Sequence, residues 1–369
     1  MYSEGCQIKV RKNDLTVSDQ TRNNYIDFLR GIAALGIIAI HTAFWGGQGY
    51  TPAWFQNLTL FLDVPFFFYL SGWASSYRRS DITKTGKGLL KIWFKWIFFI
   101  TVAAVFCAVS VHLPYTFQGV TDIRDLANNY MFTVSISGFP VVAGSIWFMP
   151  YYMVVLLVNA AIMMIIERSA EPSELKKTYM WLLLAAFIWI IYGKYAFGLD
   201  LTYFLFYSFF WMLGVNRLGR CAKPQQLILC IGACIAGVVI TSYLQGLPLY
   251  DIQSAKFPPS LKYGFVSMVA ILIAKYFDGR REKYNKFLLH IGKNAIWYYF
   301  GQGIGSSINF YVINLVSIEN WFLKWLVTYA INVVITIAVS ESLAAGYKYF
   351  INGCSWVKIR YRERRIAGR

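Results

Sequence analysis

Long apolar segments recur along almost the whole chain, with short polar segments between them. Each is close to the roughly 20 residues that an α-helix needs to cross a bilayer. Ten can be delimited: Tyr25–Trp45, Trp54–Tyr77, Leu89–Val111, Ile146–Ile166, Tyr179–Tyr195, Leu199–Val215, Leu227–Leu244, Leu261–Phe277, Phe287–Phe310 and Trp321–Tyr347. The pattern predicts an all-α polytopic membrane protein of about ten transmembrane helices.

The composition supports the membrane class. Hydrophobic residues make up 57% of the chain and charged residues only 14%, whereas a soluble protein carries about 25% charged residues. The 13 Trp and 26 Tyr residues are of the type that collects at membrane interfaces. The six Cys have no metal-ligand spacing with a His, so no metal site is expected.

The basic residues are distributed unevenly, and this predicts the orientation. If the ten spans alternate, 28 of the 35 Lys and Arg residues fall on one side of the membrane. The positive-inside rule places that side, and both chain termini, in the cytoplasm. This distribution accounts for the net charge of +17 without a nucleic-acid partner. The expected organisation is a cytoplasmic segment (residues 1–24), a transmembrane domain (25–347) and a basic cytoplasmic tail (348–369).

The first span contains three ionisable residues, Asp27, Arg30 and His41. Such residues are costly in hydrocarbon and usually face protein or water. Arg30 and His41 are eleven residues apart, which puts them on nearly the same side of a helix and about 16 Å apart along its axis. On the predicted topology Arg30 lies near the cytoplasmic end and His41 near the outer end.

Each of these side chains allows two interpretations. Arg30 could bind the phosphates of a cytoplasmic donor, or it could pair with Asp27 as a topology anchor. His41 could act as a general base, because its ordinary pKa lies near neutrality, or it could be a hydrogen-bonded structural residue.

The second span adds further polar candidates. Asp63 lies at a depth similar to that of His41, and it could either orient the imidazole or cap the helix that begins near Pro65. Ser71 is a candidate nucleophile without a base nearby in the sequence, so close helix packing explains it better. Arg78 and Arg79 are either ordinary cytoplasmic cations or part of an anion-binding mouth beside Arg30.

These residues carry a resemblance to a known family. YIDFLRGIAALGIIAIH and FLDVPFFFYLSGW resemble the first two helix motifs of acyltransferase family 3, which are bacterial integral-membrane O-acyltransferases that modify surface glycans. IWFMPYYMVVLL, with Trp147, and GKNAIWYYFGQ are similar to later motifs. Gln302 stands where many members have His, so acid–base chemistry is expected at His41.

The resemblance implies a multi-pass protein of the inner cell membrane that moves an acyl group, usually acetyl from acetyl-CoA, to a hydroxyl of a surface glycan or lipid-linked sugar. Acetyl-CoA would be a co-substrate, and no permanently bound cofactor is expected. We expect His41 and Asp63 to be catalytic, and donor or acceptor binding by Arg30, Asp27, Ser71, Arg78, Arg79, Trp147 and Gln302. The main alternative is a transporter or glycan flippase, since buried charges also mark transport paths. A membrane scaffold would not need Arg30 and His41 on one face.

Overall fold

The computed structural model describes residues 23–45, 49–110, 123–133, 139–193, 199–219, 221–280 and 283–367. Regular structure within these ranges is entirely helical, which confirms the predicted all-α class. The helices are α1 (Asn24–Phe44), α2 (Ala53–Thr59), α3 (Val64–Ser75), α4 (Ile82–Ser110), α5 (Ile123–Tyr130), α6 (Pro140–Ser145), α7 (Phe148–Ile166), α8 (Pro172–Gly193), α9 (Leu199–Val215), α10 (Pro224–Gln245), α11 (Leu261–Tyr276), α12 (Lys286–Lys293), α13 (Ala295–Val312) and α14 (Trp321–Ala367). Two 3₁₀ helices span Leu60–Leu62 and Ile313–Leu315.

Seven segments of the described chain are long and apolar enough to cross a membrane. They are Asn24–Phe44, Ala53–Ser75, Ile82–Val109, Pro140–Ile166, Pro172–Gly193, Pro224–Gln245 and Trp321–Gly353. Each overlaps one of the ten segments predicted from hydropathy, and the protein is therefore a multi-helix membrane protein.

The other three predicted spans coincide with α9, α11 and the α12–α13 pair. α9 has 17 residues and α11 has 16. A 16-residue helix is about 24 Å long, against about 30 Å for the hydrocarbon core of a bilayer. The count of ten spans and the cytoplasmic location of both termini remain predictions.

Two predicted spans are interrupted. The second is split at Asp63, which has extended backbone angles, and α3 restarts with Pro65 in its first turn. Proline suits that position because the first helical N–H groups have no partner within the helix. The ninth is divided at Asn294, between α12 and α13. The first break places Asp63 immediately before α3. Its side chain can therefore contact groups from other parts of the chain.

α1 is enclosed by other helices, since it packs against α2, α3, α12, α13 and α14. Asn23 begins it, because the side-chain oxygen of Asn23 accepts hydrogen bonds from the backbone N–H groups of Tyr25 and Ile26 at 2.9 and 3.3 Å. The polar side chains of α1 therefore face protein and cavities rather than lipid. That placement removes much of the cost of ionisable groups at membrane depth.

The approach of α1 to α12 depends on two glycines. A Cβ atom added at Gly31 would meet the backbone carbonyl oxygen of Leu288, and one added at Gly292 would meet that of Asp27. Close backbone approach through small residues is a common way to join helices in membranes, where apolar side chains gain little by leaving lipid. It fixes α1 against its neighbours and so fixes the directions of its polar side chains.

Candidate active site

A cavity of about 290 Å³ lies beside the C-terminal end of α1. We name it the His41 cavity. Its walls come from α1, the start of α3, residues 144–148, residues 253–257 and α13. Its polar lining residues are His41, Asp63, Ser145, Gln253 and Lys256, and its aromatic lining residues are Phe44, Trp45, Trp147, Phe148, Phe257 and Tyr299.

The imidazole of His41 is held by Gln302, on α13. His41 Nδ1 forms a hydrogen bond with Gln302 Oε1. In this orientation of the amide, its oxygen can only accept, so the hydrogen bond selects the tautomer in which Nδ1 carries the proton and Nε2 keeps its lone pair. Gln302 is only 1% exposed, and its Nε2 atom has no hydrogen-bond partner among the described residues. The neutral imidazole can therefore accept a proton at Nε2 beside the cavity.

Asp63 lines the same cavity, but it does not form the hydrogen bond to His41 that we expected. Asp63 Oδ2 accepts hydrogen bonds from Lys256 Nζ at 2.7 Å and from the hydroxyl of Tyr263 at 2.8 Å. The physical reason is charge: a carboxylate that is 2% exposed needs a cationic partner more than it needs a neutral imidazole. The alternative role as a helix cap also fails, because Asp63 occupies the position before α3 without a side-chain hydrogen bond to the helix.

Sequence reasoning missed Lys256 as a site residue. It lies in the loop between α10 and α11, and this loop is fastened to α2 by Asn57, whose Oδ1 accepts the backbone N–H groups of Ile252 and Gln253 at 2.7 and 2.8 Å. Lys256 is 7% exposed. In the sequence it is one of the few cations outside the basic segments, and nothing in the local pattern brings it to Asp63.

Trp147 also lines the His41 cavity rather than a separate donor site. Its ring packs edge-on to Phe257, with centroids 5.1 Å apart, and the Lys256 ammonium lies 5.6 Å from the Trp147 centroid. Tyr299 donates a hydrogen bond to the backbone oxygen of Ser145 at 2.7 Å, which fixes the wall next to Trp147. The result is a cavity wall in which aromatic rings lie next to a cation.

A second cavity, of about 780 Å³, lies towards the other end of α1. We name it the Arg30 cavity. Five residues singled out from the sequence line it, namely Asp27, Arg30, Ser71, Arg78 and Arg79. Lys84 and Asp81 line it as well. Four of its lining side chains are cationic and two are carboxylates. Such a surface suits an anionic ligand.

Arg30 pairs with Asp27, as one of its two interpretations predicts, and it also lines the cavity. Its Nη1 atom lies 3.2 Å from Asp27 Oδ1, so the predicted pair forms. The Arg30 side chain remains 26% exposed while Asp27 is 1% exposed, so the guanidinium keeps donors available to the cavity. Ser71 lies 3.4 Å from the hydroxyl of Tyr152. No basic side chain pairs with Ser71 in the described part of the chain, which favours packing over nucleophilic chemistry.

The two cavities lie at opposite ends of the same pair of helices. α1 contributes Arg30 to one and His41 to the other, about 16 Å apart by helix rise. α3 runs in the opposite direction and contributes Ser71 to the Arg30 cavity, while Asp63 at its start faces the His41 cavity. Arg30 and His41, which the sequence predicted to lie on one face of α1, therefore each line a separate cavity.

An all-helical membrane bundle with a half-buried histidine at one cavity and a cationic surface at another fits the class of membrane-embedded enzymes and transporters. A family model described as an acyltransferase domain matches residues 23–341. The chain belongs to acyltransferase family 3, as the first two helix motifs indicated, and it is accordingly a membrane acyltransferase. No significant match was found among curated proteins or solved structures.

Proposed function

We propose that the protein transfers an acyl group, acetyl from acetyl-CoA, to a hydroxyl of a cell-surface glycan or of its lipid-linked precursor. The observation that supports this best is the position of the two cavities, because α1 presents Arg30 to a cationic one and His41 to an aromatic one. A donor with an anionic head and a long arm fits such a pair.

The Arg30 cavity is the proposed site of the donor nucleotide, on the cytoplasmic side of the inner membrane. Phosphates cannot enter hydrocarbon cheaply, whereas Arg30, Arg78, Arg79 and Lys84 offer charge-assisted hydrogen bonds to them. The pantetheine arm is comparable in length to the roughly 16 Å between Arg30 and His41 along α1. Acetyl-CoA is thus a co-substrate that binds and leaves.

The His41 cavity is the proposed site of the acceptor and of the chemistry. Its aromatic residues, Trp147 above all, offer flat apolar faces against which a sugar ring can pack. His41 Nε2 accepts the proton of the acceptor hydroxyl as its oxygen attacks the thioester carbonyl carbon. When the new C–O bond is complete and the C–S bond breaks, the imidazolium returns the proton to the departing thiolate.

The test is the acylation state of the host's surface glycan, measured by mass spectrometry. We expect His41→Ala to remove one acyl substituent per repeat while the amount of glycan stays the same. His290→Ala is the matched control. His290 is 52% exposed, lies on α12 and pairs with Glu341 at 2.7 Å, away from both cavities.

Two results would contradict the proposal. A His41→Ala strain that makes less glycan with unchanged acylation per repeat would indicate a transporter or flippase. Full acylation in a strain whose membranes contain the intact variant would remove His41 from the chemistry. An acyl group found on His41 after rapid quenching would keep the function but replace direct transfer with a covalent intermediate.

A further inference from the structure

Lys256 and Asp63 form a buried ion pair in the wall of the His41 cavity. Their side chains are 9% and 2% exposed, and Lys256 Nζ lies 2.7 Å from Asp63 Oδ2. Such a pair is expensive to bury, and apolar residues of the same volume often stabilise a fold at least as well. Its presence beside His41 therefore calls for a role other than stability.

The ammonium of Lys256 has donors to spare. An ammonium carries three N–H groups, and Asp63 is the acceptor for Lys256 among the described residues. The ring of Trp147, 5.6 Å away, covers one side of the ammonium, and the ion lines the cavity. Asp63 is itself held by the hydroxyl of Tyr263, which is fully buried. Lys256 is thus a positioned cation with free hydrogen-bonding capacity beside the proposed base.

We propose that Lys256 stabilises the negative charge that forms on the acyl carbonyl oxygen during transfer, and that Asp63 and Tyr263 position it. This inference rests on the proposed acyl transfer at His41. When the acceptor oxygen bonds to the carbonyl carbon, the electron pair of the C=O double bond moves onto its oxygen. An N–H group of Lys256 donates to that oxyanion, and the pair returns to re-form C=O as the C–S bond breaks.

Positioned donors in a water-poor site are effective at this step, because they interact more strongly with the transition state than with the neutral carbonyl of the substrate. The role also explains why Asp63 faces Lys256 instead of His41. Asp63 would be a positioning residue for the cation, while Gln302 holds the base.

The experiment measures acyl transfer by purified enzyme from radiolabelled acetyl-CoA to alkali-deacylated surface glycan of the host. We expect Lys256→Met to lower kcat by about 10²-fold or more, with the KM for acetyl-CoA unchanged within about twofold. Lys256→Arg keeps the charge and the donors, and it should retain more activity. Chloroacetyl-CoA should reduce the deficit of Lys256→Met, because its carbonyl oxygen accepts charge more easily.

Lys262→Met is the matched control. Lys262 is also buried, lies six residues further along and donates to the backbone oxygen of Pro248 at 2.6 Å, but it does not line the cavity. Its removal should affect protein yield rather than kcat.

A double variant guards against loss of folding, since removing one member of a buried pair leaves an unpaired charge. Asp63→Asn with Lys256→Met leaves no such charge and should restore the yield of folded protein without restoring kcat. Recovery of wild-type kcat in the double variant would show that the pair is structural and overturn the inference.

Two other results would also overturn it: a wild-type kcat in Lys256→Met, or a loss confined to the KM for the glycan, which would make Lys256 a binder of an acceptor anion. If the wild-type enzyme transfers no acyl group at all, the proposed function fails before any Lys256 variant is compared. The two failures are therefore distinguishable.

Discussion

His41 and Gln302 are 261 positions apart in the chain, yet their side chains form a hydrogen bond between α1 and α13. The amide stays neutral at every pH at which the protein is folded, so it cannot exchange a proton with the imidazole. What it can do is fix the ring orientation and keep the proton on Nδ1. A second histidine at this position would offer a proton acceptor, whereas Gln302 offers only a hydrogen bond that orients the ring.

Gln302→Leu is expected to lower kcat by about tenfold to a hundredfold, because the ring loses the acceptor that keeps Nε2 free as the base. The KM for acetyl-CoA should stay within about twofold, since the Arg30 cavity is untouched. Asn309→Ala, on the same helix and at 1% exposure, controls for removal of a buried amide. An unchanged kcat in Gln302→Leu would reduce the Gln302 contact to packing.

Arg30→Gln should raise the KM for acetyl-CoA by about tenfold or more, the size expected for one charged hydrogen bond, with kcat little changed. Wild-type KM should also rise with salt, because the cationic side chains of this cavity are partly exposed. Titration of the purified enzyme with acetyl-CoA at two salt concentrations checks both statements. Equal KM values in variant and wild type would leave Arg30 as an anchor for Asp27.

Asp81 reduces the positive charge of the Arg30 cavity. Hydrogen bonds from the backbone N–H groups of Lys84 and Thr83 lower its pKa, so it is a carboxylate throughout the neutral range. Asp81→Asn keeps an acceptor for those N–H groups and removes the charge. We expect the KM for acetyl-CoA to fall about twofold to threefold, consistent with an exposed charge, and the effect to persist from pH 8 to pH 5 because Asp81 stays ionised there.

Lys84→Ala should shift the same KM in the opposite direction. Lys87→Ala is its matched control, one turn further along α4, exposed and outside the cavity. If Lys84→Ala and Lys87→Ala have equal effects, the cavity does not bind the donor's charge. If Asp81→Asn raises KM, its role is to hold the loop before α4.

The sequence predicts the Arg30 cavity well and the His41 cavity only in part. Asp27, Arg30, Ser71, Arg78 and Arg79 lie at the ends of two adjacent spans, and antiparallel helices joined by a short loop bring such ends together. The periodicity of α1 likewise places Arg30 and His41 on one side. These are local relationships, and hydropathy with helix geometry is enough to find them.

The partners of His41 and Asp63 depend on long-range packing. Gln302 reaches His41 through the contacts of α1 with α13, and Lys256 reaches Asp63 because Asn57 holds the α10–α11 loop over the helix ends. No local pattern encodes either approach. The expectation of an Asp63–His41 pair came from matching depths in the membrane, which limits where a side chain lies but not which neighbour it faces.

α3 and α9 meet through glycine in the same way as α1 and α12. A Cβ atom at Gly72 would meet the backbone oxygen of Trp211, and one at Gly214 would meet that of Tyr69. Backbone cannot move aside as a flexible side chain can. Gly72→Ala should therefore force the helices apart and cost about 1–3 kcal/mol, the range for an overfilled core.

The measurement is the apparent Tm of the detergent-solubilised protein, followed by the loss of the monodisperse peak in size exclusion after heating. Gly72→Ala should lower it by several degrees. Gly232→Ala, in α10, should leave the Tm unchanged or raise it, because an added Cβ there meets nothing within 4 Å and alanine favours the helix.

Ser71 lies beside the Arg30 cavity and would move with α3. A Gly72→Ala protein that keeps its Tm yet loses donor affinity would therefore show that α3 positions the cavity wall without stabilising the fold. Equal Tm values and equal KM values for Gly72→Ala and wild type would mean that the α3–α9 contact is looser than the structure has it.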